Sequence, residues 1–198
     1  MPSNLIVIGV NHDSAPVAVR ERVAFAPESV PEAISALIGT THLNEAIILS
    51  TCNRTEIYGW VGDDDPAIQG GDDVIEWLAR YHNVALDDLA TCTYRNYGAT
   101  ALTHLVRVAA GLNSMVLGEP QIFGQIKSAL AVSQECGGTG DFLSRLFQEA
   151  FRLAKRVRTD TAIGENPVSV AYAAVDLAGR IFSCLLYTSP SPRDCRLS

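Results

Sequence analysis

The stretch Glu45-Ala-Ile-Ile-Leu-Ser-Thr-Cys-Asn-Arg-Thr-Glu-Ile-Tyr-Gly-Trp-Val61 decides the fold. Two β-rich apolar runs, Glu45 to Ser50 and Glu56 to Val61, flank Thr51-Cys-Asn-Arg-Thr55, which is hairpin or bulge spacing. Upstream, Leu5 to Val10 is a short apolar run closed by Asn11-His12 and reads as a buried strand. Between them Ser29-Val-Pro-Glu32 marks a helix start: the serine can cap an orphan N–H, the glutamate can reach back, and Pro31 needs no donor there. That helix is expected to run to Gly39. Downstream, an acidic, glycine-rich loop from Gly62 to Asp73 precedes helical spacing over Val74 to Tyr81, and Cys92 to Tyr94 is expected as a fourth strand. The order β-α-β-β-α-β predicts an α+β fold, a ferredoxin-like sandwich whose antiparallel sheet carries its helices on one face.

From Thr100 onward the pattern is helical, which adds C-terminal helices to the sandwich. Leu102, Leu105, Val106 and Ala109 recur at three and four. A glycine-bounded turn, Gly111 to Gly118, leads to a helix opened by Pro120. After Gly137-Gly-Thr-Gly140, Leu143, Leu146, Phe147, Ala150, Phe151, Ala154 and Val157 share one helix face, and a further helix is expected from about Val168 to Phe182. The stretch from Leu185 to Ser198 loses all apolar periodicity and contains two Ser-Pro steps, so it is expected to be a disordered, non-native tail.

Composition narrows the function. With 47% hydrophobic and 19% charged residues, the 198-residue chain can bury a core. No run is long enough to span a bilayer and no basic leader is visible, so a cytoplasmic protein is expected. Five cysteines at wide spacing, without a C-x-x-C pair, argue against a zinc site and a disulfide framework. The formal charge of −7 gives no global support for nucleic-acid binding. Arg145, Arg152, Lys155, Arg156 and Arg158 nevertheless crowd one segment, either opposing a helix dipole or meeting RNA phosphates.

Thr51-Cys52-Asn53-Arg54 is the most informative tetrapeptide. Cys52 sits where a strand ends and the chain turns, and Arg54 is expected close enough to favour its thiolate. Asn53 could bind a carbonyl or carboxylate, and a thiolate beside a fixed cation suits attack on an activated acyl carbon. His104 lies on a helix between apolar neighbours; it and His12 are weaker candidates, neither with metal-ligand spacing. In Gly111 to Gln125, Ser114 sits in the turn, Glu119 at a helix start, and Gln121 and Gln125 on one helix face. Such a set could recognise a small zwitterion, or it could be a capping segment with solvated amides. No G-x-G-x-x-G or Walker loop occurs.

Gly9-Val-Asn-His-Asp-Ser-Ala-Pro16, Arg20-Glu-Arg-Val-Ala-Phe25, Ser50 to Tyr58, Gly111 to Gln125 and Gly164 to Tyr172 together resemble the N-terminal domain of glutamyl-tRNA reductases, over about Leu5 to Phe182. The resemblance implies a catalytic domain over residues 1–162, a linker or first helix over 163–183 leading towards an NADPH-binding domain that the chain lacks, and the tail over 184–198. It implies that Cys52 attacks the ester of glutamyl-tRNA to form a thioester, which NADPH reduces to glutamate-1-semialdehyde in tetrapyrrole synthesis. Thr51, Asn53, Arg54, Ser114, Glu119, Pro120, Gln121 and Gln125 match the family's substrate pocket, and His104 matches a histidine important for activity. The implied partners are glutamyl-tRNA, the semialdehyde aminomutase, and a second copy of the chain through a dimerisation domain not found here. Without the NADPH domain the chain is expected to stop at acyl transfer and hydrolysis. The alternative is a non-catalytic, amino-acid-binding ferredoxin-like module.

Overall fold

The computed structural model describes residues 4–62 and 71–161. The expected helix at Val168 to Phe182, the tail, and most of the acidic loop lie outside them. Four strands, β1 (Leu5–Asn11), β2 (Glu45–Ser50), β3 (Arg54–Trp60) and β4 (Tyr94–Tyr97), form one antiparallel sheet in the order β2-β3-β1-β4. The helices are α1 (Val17–Arg22), α2 (Val30–Thr40), α3 (Asp72–Tyr81), α4 (Leu86–Ala90), α5 (Gly98–Ala109), α6 (Gln121–Glu135) and α7 (Asp141–Asp160). The strand order and the α2 and α3 crossovers are those of the ferredoxin-like sandwich. Among the described residues no helix is long and apolar enough to cross a membrane.

Helices cover both faces of the sheet, not one. Ile6, Ile8 and Val10 of β1 pack with Ile34, Leu37, Val74 and Leu78 from α2 and α3. The alternate residues Leu5 and Val7 pack with Ile47, Leu49 and Tyr58 against Leu105, Ile126, Leu143 and Phe147 from α5, α6 and α7. Successive strand side chains point to opposite faces, so a strand covered on both sides must be apolar at every position. Every residue of β1 is buried, and the unbroken run Leu5 to Val10 is the sequence record of that double cover. Each fully buried Leu, Ile or Phe contributes roughly 1.5–3 kcal/mol.

Three local readings change. Ser29 does not cap α2: its hydroxyl donates to the Ala26 carbonyl at 2.8 Å, within a short 3-10 turn at Pro27–Ser29. The fourth strand is Tyr94–Tyr97 and not Cys92 to Tyr94. Thr91, Cys92 and Thr93 instead turn their side chains back onto the carbonyls of Asp88 and Leu89, finishing α4. A buried carboxylate from the sheet starts α7: Glu45 of β2 accepts the backbone N–H groups of Phe142 and Leu143 at 3.2 and 2.8 Å. Gly140 makes this possible, because a Cβ there would lie 2.8 Å from the Glu45 carboxylate.

Candidate active site

The β2–β3 connection is a tight turn pinned by one side chain. Thr51 N–H donates to the Arg54 carbonyl at 2.8 Å, and Thr51 Oγ1 accepts the N–H groups of Asn53 and Arg54, each at 3.2 Å. Cys52 stands at the tip of this turn and is exposed. A cation does hold it, but not the expected one. Arg20 of α1 donates from Nη1 to the Cys52 carbonyl at 2.9 Å and from Nε to the Ala15 carbonyl at 3.3 Å. Arg20 is brought there by the turn after β1, where Asn11 Oδ1 accepts the N–H groups of Asp13 and Ser14.

Arg54 is turned inward. Alternation along β3 puts Arg54, Glu56 and Tyr58 on the face covered by α5, α6 and α7. Arg54 is 2% exposed and Glu56 is fully buried. Arg54 Nη1 donates to Glu56 Oε1 at 2.7 Å, and its Nη2 donates to the Asn113 carbonyl in the loop before α6. The hydroxyls of Tyr58 and Tyr94 also donate to the Glu56 carboxylate. His104 of α5 completes the cluster, with Nε2 at 2.9 Å from Glu56 Oε1. The expectation that Arg54 serves the Cys52 thiol is therefore replaced: its guanidinium neutralises Glu56 and ties down the Asn113 loop.

Gly9 makes the crossing possible. It lies between Glu56 on β3 and Tyr94 on β4 in the strand register. A Cβ there would sit 2.5 Å from the Thr55 carbonyl and 2.9 Å from the Glu56 Cα and Cγ. With no side chain at this position, the Tyr94 hydroxyl can reach Glu56 across an intervening strand.

Burial alone would raise the Glu56 pKa, but the hydrogen bond from His104 and the charge of Arg54, with Tyr58 and a further charge contribution from His104, hold it at about 2. Burial pulls Arg54 down, yet Glu56 outweighs it and the guanidinium stays firmly charged. Burial and then the neighbouring Glu56 charge keep both Tyr58 and Tyr94 protonated. An ionised carboxylate can only accept, so the His104 nitrogen facing it must carry hydrogen. The hydrogen bond to Glu56 therefore uses Nε2–H, and Nδ1 is the ring nitrogen that faces away from the carboxylate.

Three of the expected residues line two open cavities. Gln121 and Gln125 line one of about 510 Å³ together with Ser50, Phe25 and Ile48, in agreement with their shared helix face. His104 lines another of about 390 Å³ with Thr100, Thr103, Arg107 and Asn113. Asn53 and Ser114 are half-buried in their turns, Pro120 is exposed just before α6, and Glu119 offers its carbonyl to Arg158 at 3.5 Å. His12 pairs with its neighbour Asp13 at 3.5 Å and has no place in the Glu56 cluster. Sequence reading missed Glu56, Tyr58, Tyr94 and Arg20. The alternation Arg54-x-Glu56-x-Tyr58 inside an otherwise apolar strand was the available signal.

The family model for the glutamyl-tRNA(Glu) reductase N-terminal domain matches residues 8–161. The chain belongs to the glutamyl-tRNA reductase family. It is 58% identical over 180 residues to the glutamyl-tRNA reductase of Pseudomonas aeruginosa, covering 91% of this chain and 42% of that protein. It is 56% identical over 179 residues to the one from Marinomonas, covering 90% and 42%. The solved glutamyl-tRNA reductase of Methanopyrus kandleri superposes with a TM-score of 0.69 at 30% identity, covering 90% of this chain and 40% of that one. This member of the family thus spans about two fifths of the length of the relatives it matches. The Cys52 turn and the Glu56 cluster both lie within the matched region.

Proposed function

We propose that this chain carries the acyl-accepting site of a glutamyl-tRNA reductase, with Cys52 as the nucleophile. Cys52 Sγ attacks the carbonyl carbon of the ester between glutamate and the terminal ribose of tRNA. A sulfur–carbon bond forms, the carbon–oxygen ester bond breaks, and the thiol proton ends on the departing ribose oxygen. Support comes chiefly from one observation: an exposed cysteine at the tip of a pinned turn, followed in the same strand by the residues of a buried, charged cluster. Thr51 fixes the turn and Arg20 holds the Cys52 carbonyl. Arg54 acts through Asn113, setting the loop that carries Ser114 and Glu119. His104, its Nε2–H committed to Glu56, keeps Nδ1 for exchange with substrate. Gln121 and Gln125, with Ser50 in the same cavity, supply amides and a hydroxyl for carboxylate and amine groups of the glutamyl moiety.

NADPH is the reductant this reading implies, and the described residues do not fit it. Their sheet is wholly antiparallel, and no glycine-rich turn leads from a strand into a helix to receive a pyrophosphate. The test is transfer of labelled glutamate from glutamyl-tRNA to the protein. A hydroxylamine-labile label is expected on the native chain and none on Cys52→Ala. Equal labelling of the variant would remove Cys52 as the acceptor, and binding of glutamate without transfer would favour the amino-acid-binding module instead.

A further inference from the structure

The basic residues of α7 are not alike. Arg145 pairs with Asp141 at 3.5 Å and Arg152 with Glu149 at 2.5 Å, both exposed. Lys155, Arg158 and Lys127 have no carboxylate partner among the described residues. Two of them share a cleft, and the third stands over a ring that walls it. Lys155 and Arg158 line a cleft of about 380 Å³ with Pro120, Phe123 and Thr159, and Lys127 Nζ stands 5.1 Å above the Phe123 ring. Opposition to the α7 dipole explains basic residues near that helix's C-terminus, but not a third cation supplied by α6. The cleft also adjoins the substrate loop, because Arg158 reaches the Glu119 carbonyl at 3.5 Å.

We propose that this cleft binds backbone phosphates in the acceptor arm of the RNA substrate. This rests on the reading of Cys52 as the acceptor from glutamyl-tRNA. A chain of net charge −7 repels RNA at long range, so the RNA must be met by a local cationic surface. Such a surface has to lie near the loop that receives the esterified end. Lys155 and Arg158 line the cleft without a carboxylate partner among the described residues, Lys127 stands over its Phe123 wall, and Phe123 with Pro120 gives an apolar floor for a ribose or base.

The test measures binding of unacylated glutamate-specific tRNA to the whole chain as a function of salt. Lys127→Gln combined with Lys155→Gln leaves Arg158 and its loop contact intact. Each lost phosphate contact lowers the slope of log K against log salt by about 0.7–0.9, so the double variant should bind roughly 15- to 30-fold more weakly at 0.15 M salt. Arg145→Gln combined with Arg152→Gln removes the same charge from paired, outward positions and should leave the slope nearly unchanged. An unaltered slope in the first variant overturns the proposal, and so does an equal loss in both, which would reflect net charge alone. An acidic protein surface as the true occupant would show as unaltered tRNA binding. Acylation of Cys52 by a small activated glutamyl ester should be unaffected by either double variant. Failure of that reaction in the native chain counts against the Cys52 reading and leaves the RNA measurement interpretable.

Discussion

Glu56→Gln removes the one anion on which Arg54, Tyr58, Tyr94 and His104 converge while changing the side-chain volume very little. Arg54, 2% exposed, is then a buried cation without a counter-charge. Removing one partner of a buried ion pair costs about 3–5 kcal/mol, because the other charge stays desolvated. A second route gives a similar size. A carboxyl held at about 2 instead of an ordinary 4.5 contributes on the order of 3 kcal/mol at neutral pH. Since the folded-state value is the depressed one, that stabilisation is complete above about pH 4.5 and fades as pH falls towards 2. Urea unfolding followed by tryptophan fluorescence (Trp60 and Trp77) should therefore show a gap of about 3–5 kcal/mol at pH 7 that narrows markedly by pH 3. The double variant Arg54→Met with Glu56→Gln should recover part of the loss, since neither charge is then stranded. A gap below about 1 kcal/mol, or one that is the same at both pH values, would refute the view that Glu56 is the ionised hub of this cluster.

Gly9→Ala should destabilise the chain by roughly 1–3 kcal/mol in the same unfolding assay. The new Cβ meets the Thr55 carbonyl at 2.5 Å, and strand backbone cannot yield as a side-chain tip can. Arg20→Ala should slow glutamate transfer to Cys52 by about tenfold while changing unfolding free energy by less than about 1 kcal/mol. Single-turnover labelling with glutamyl-tRNA reads the first effect and urea unfolding the second; an unchanged transfer rate would remove Arg20 from the site.

Much of the architecture was legible because it depends on local periodicity. Strand β2 runs Glu45–Ser50, as its apolar pattern and turn boundary indicate, and α6 begins after Pro120 as expected. The Cys52 turn was also legible, since Thr51 both flanks and pins it. Ser29 and Cys92 were misread for one reason: short polar side chains can bond to several nearby carbonyls, and neighbouring geometry decides which.

The sequence by itself determined the β-α-β-β-α-β succession, the helices that follow it and the family motifs, but not the short helices α1 and α4. Only tertiary structure decided what Arg54 does. Its adjacency to Cys52 in sequence suggested a cation for the thiol, but strand alternation turns it towards Glu56, two residues on. Whether that face was wet or dry depended on α5, α6 and α7 folding back over it. His104 reaches Glu56 across 48 residues of sequence, and Tyr94 reaches it across a neighbouring strand at the glycine. Such contacts leave no local periodicity behind, because they arise from how the sheet is ordered and covered, and they make a buried carboxylate the centre of this cluster.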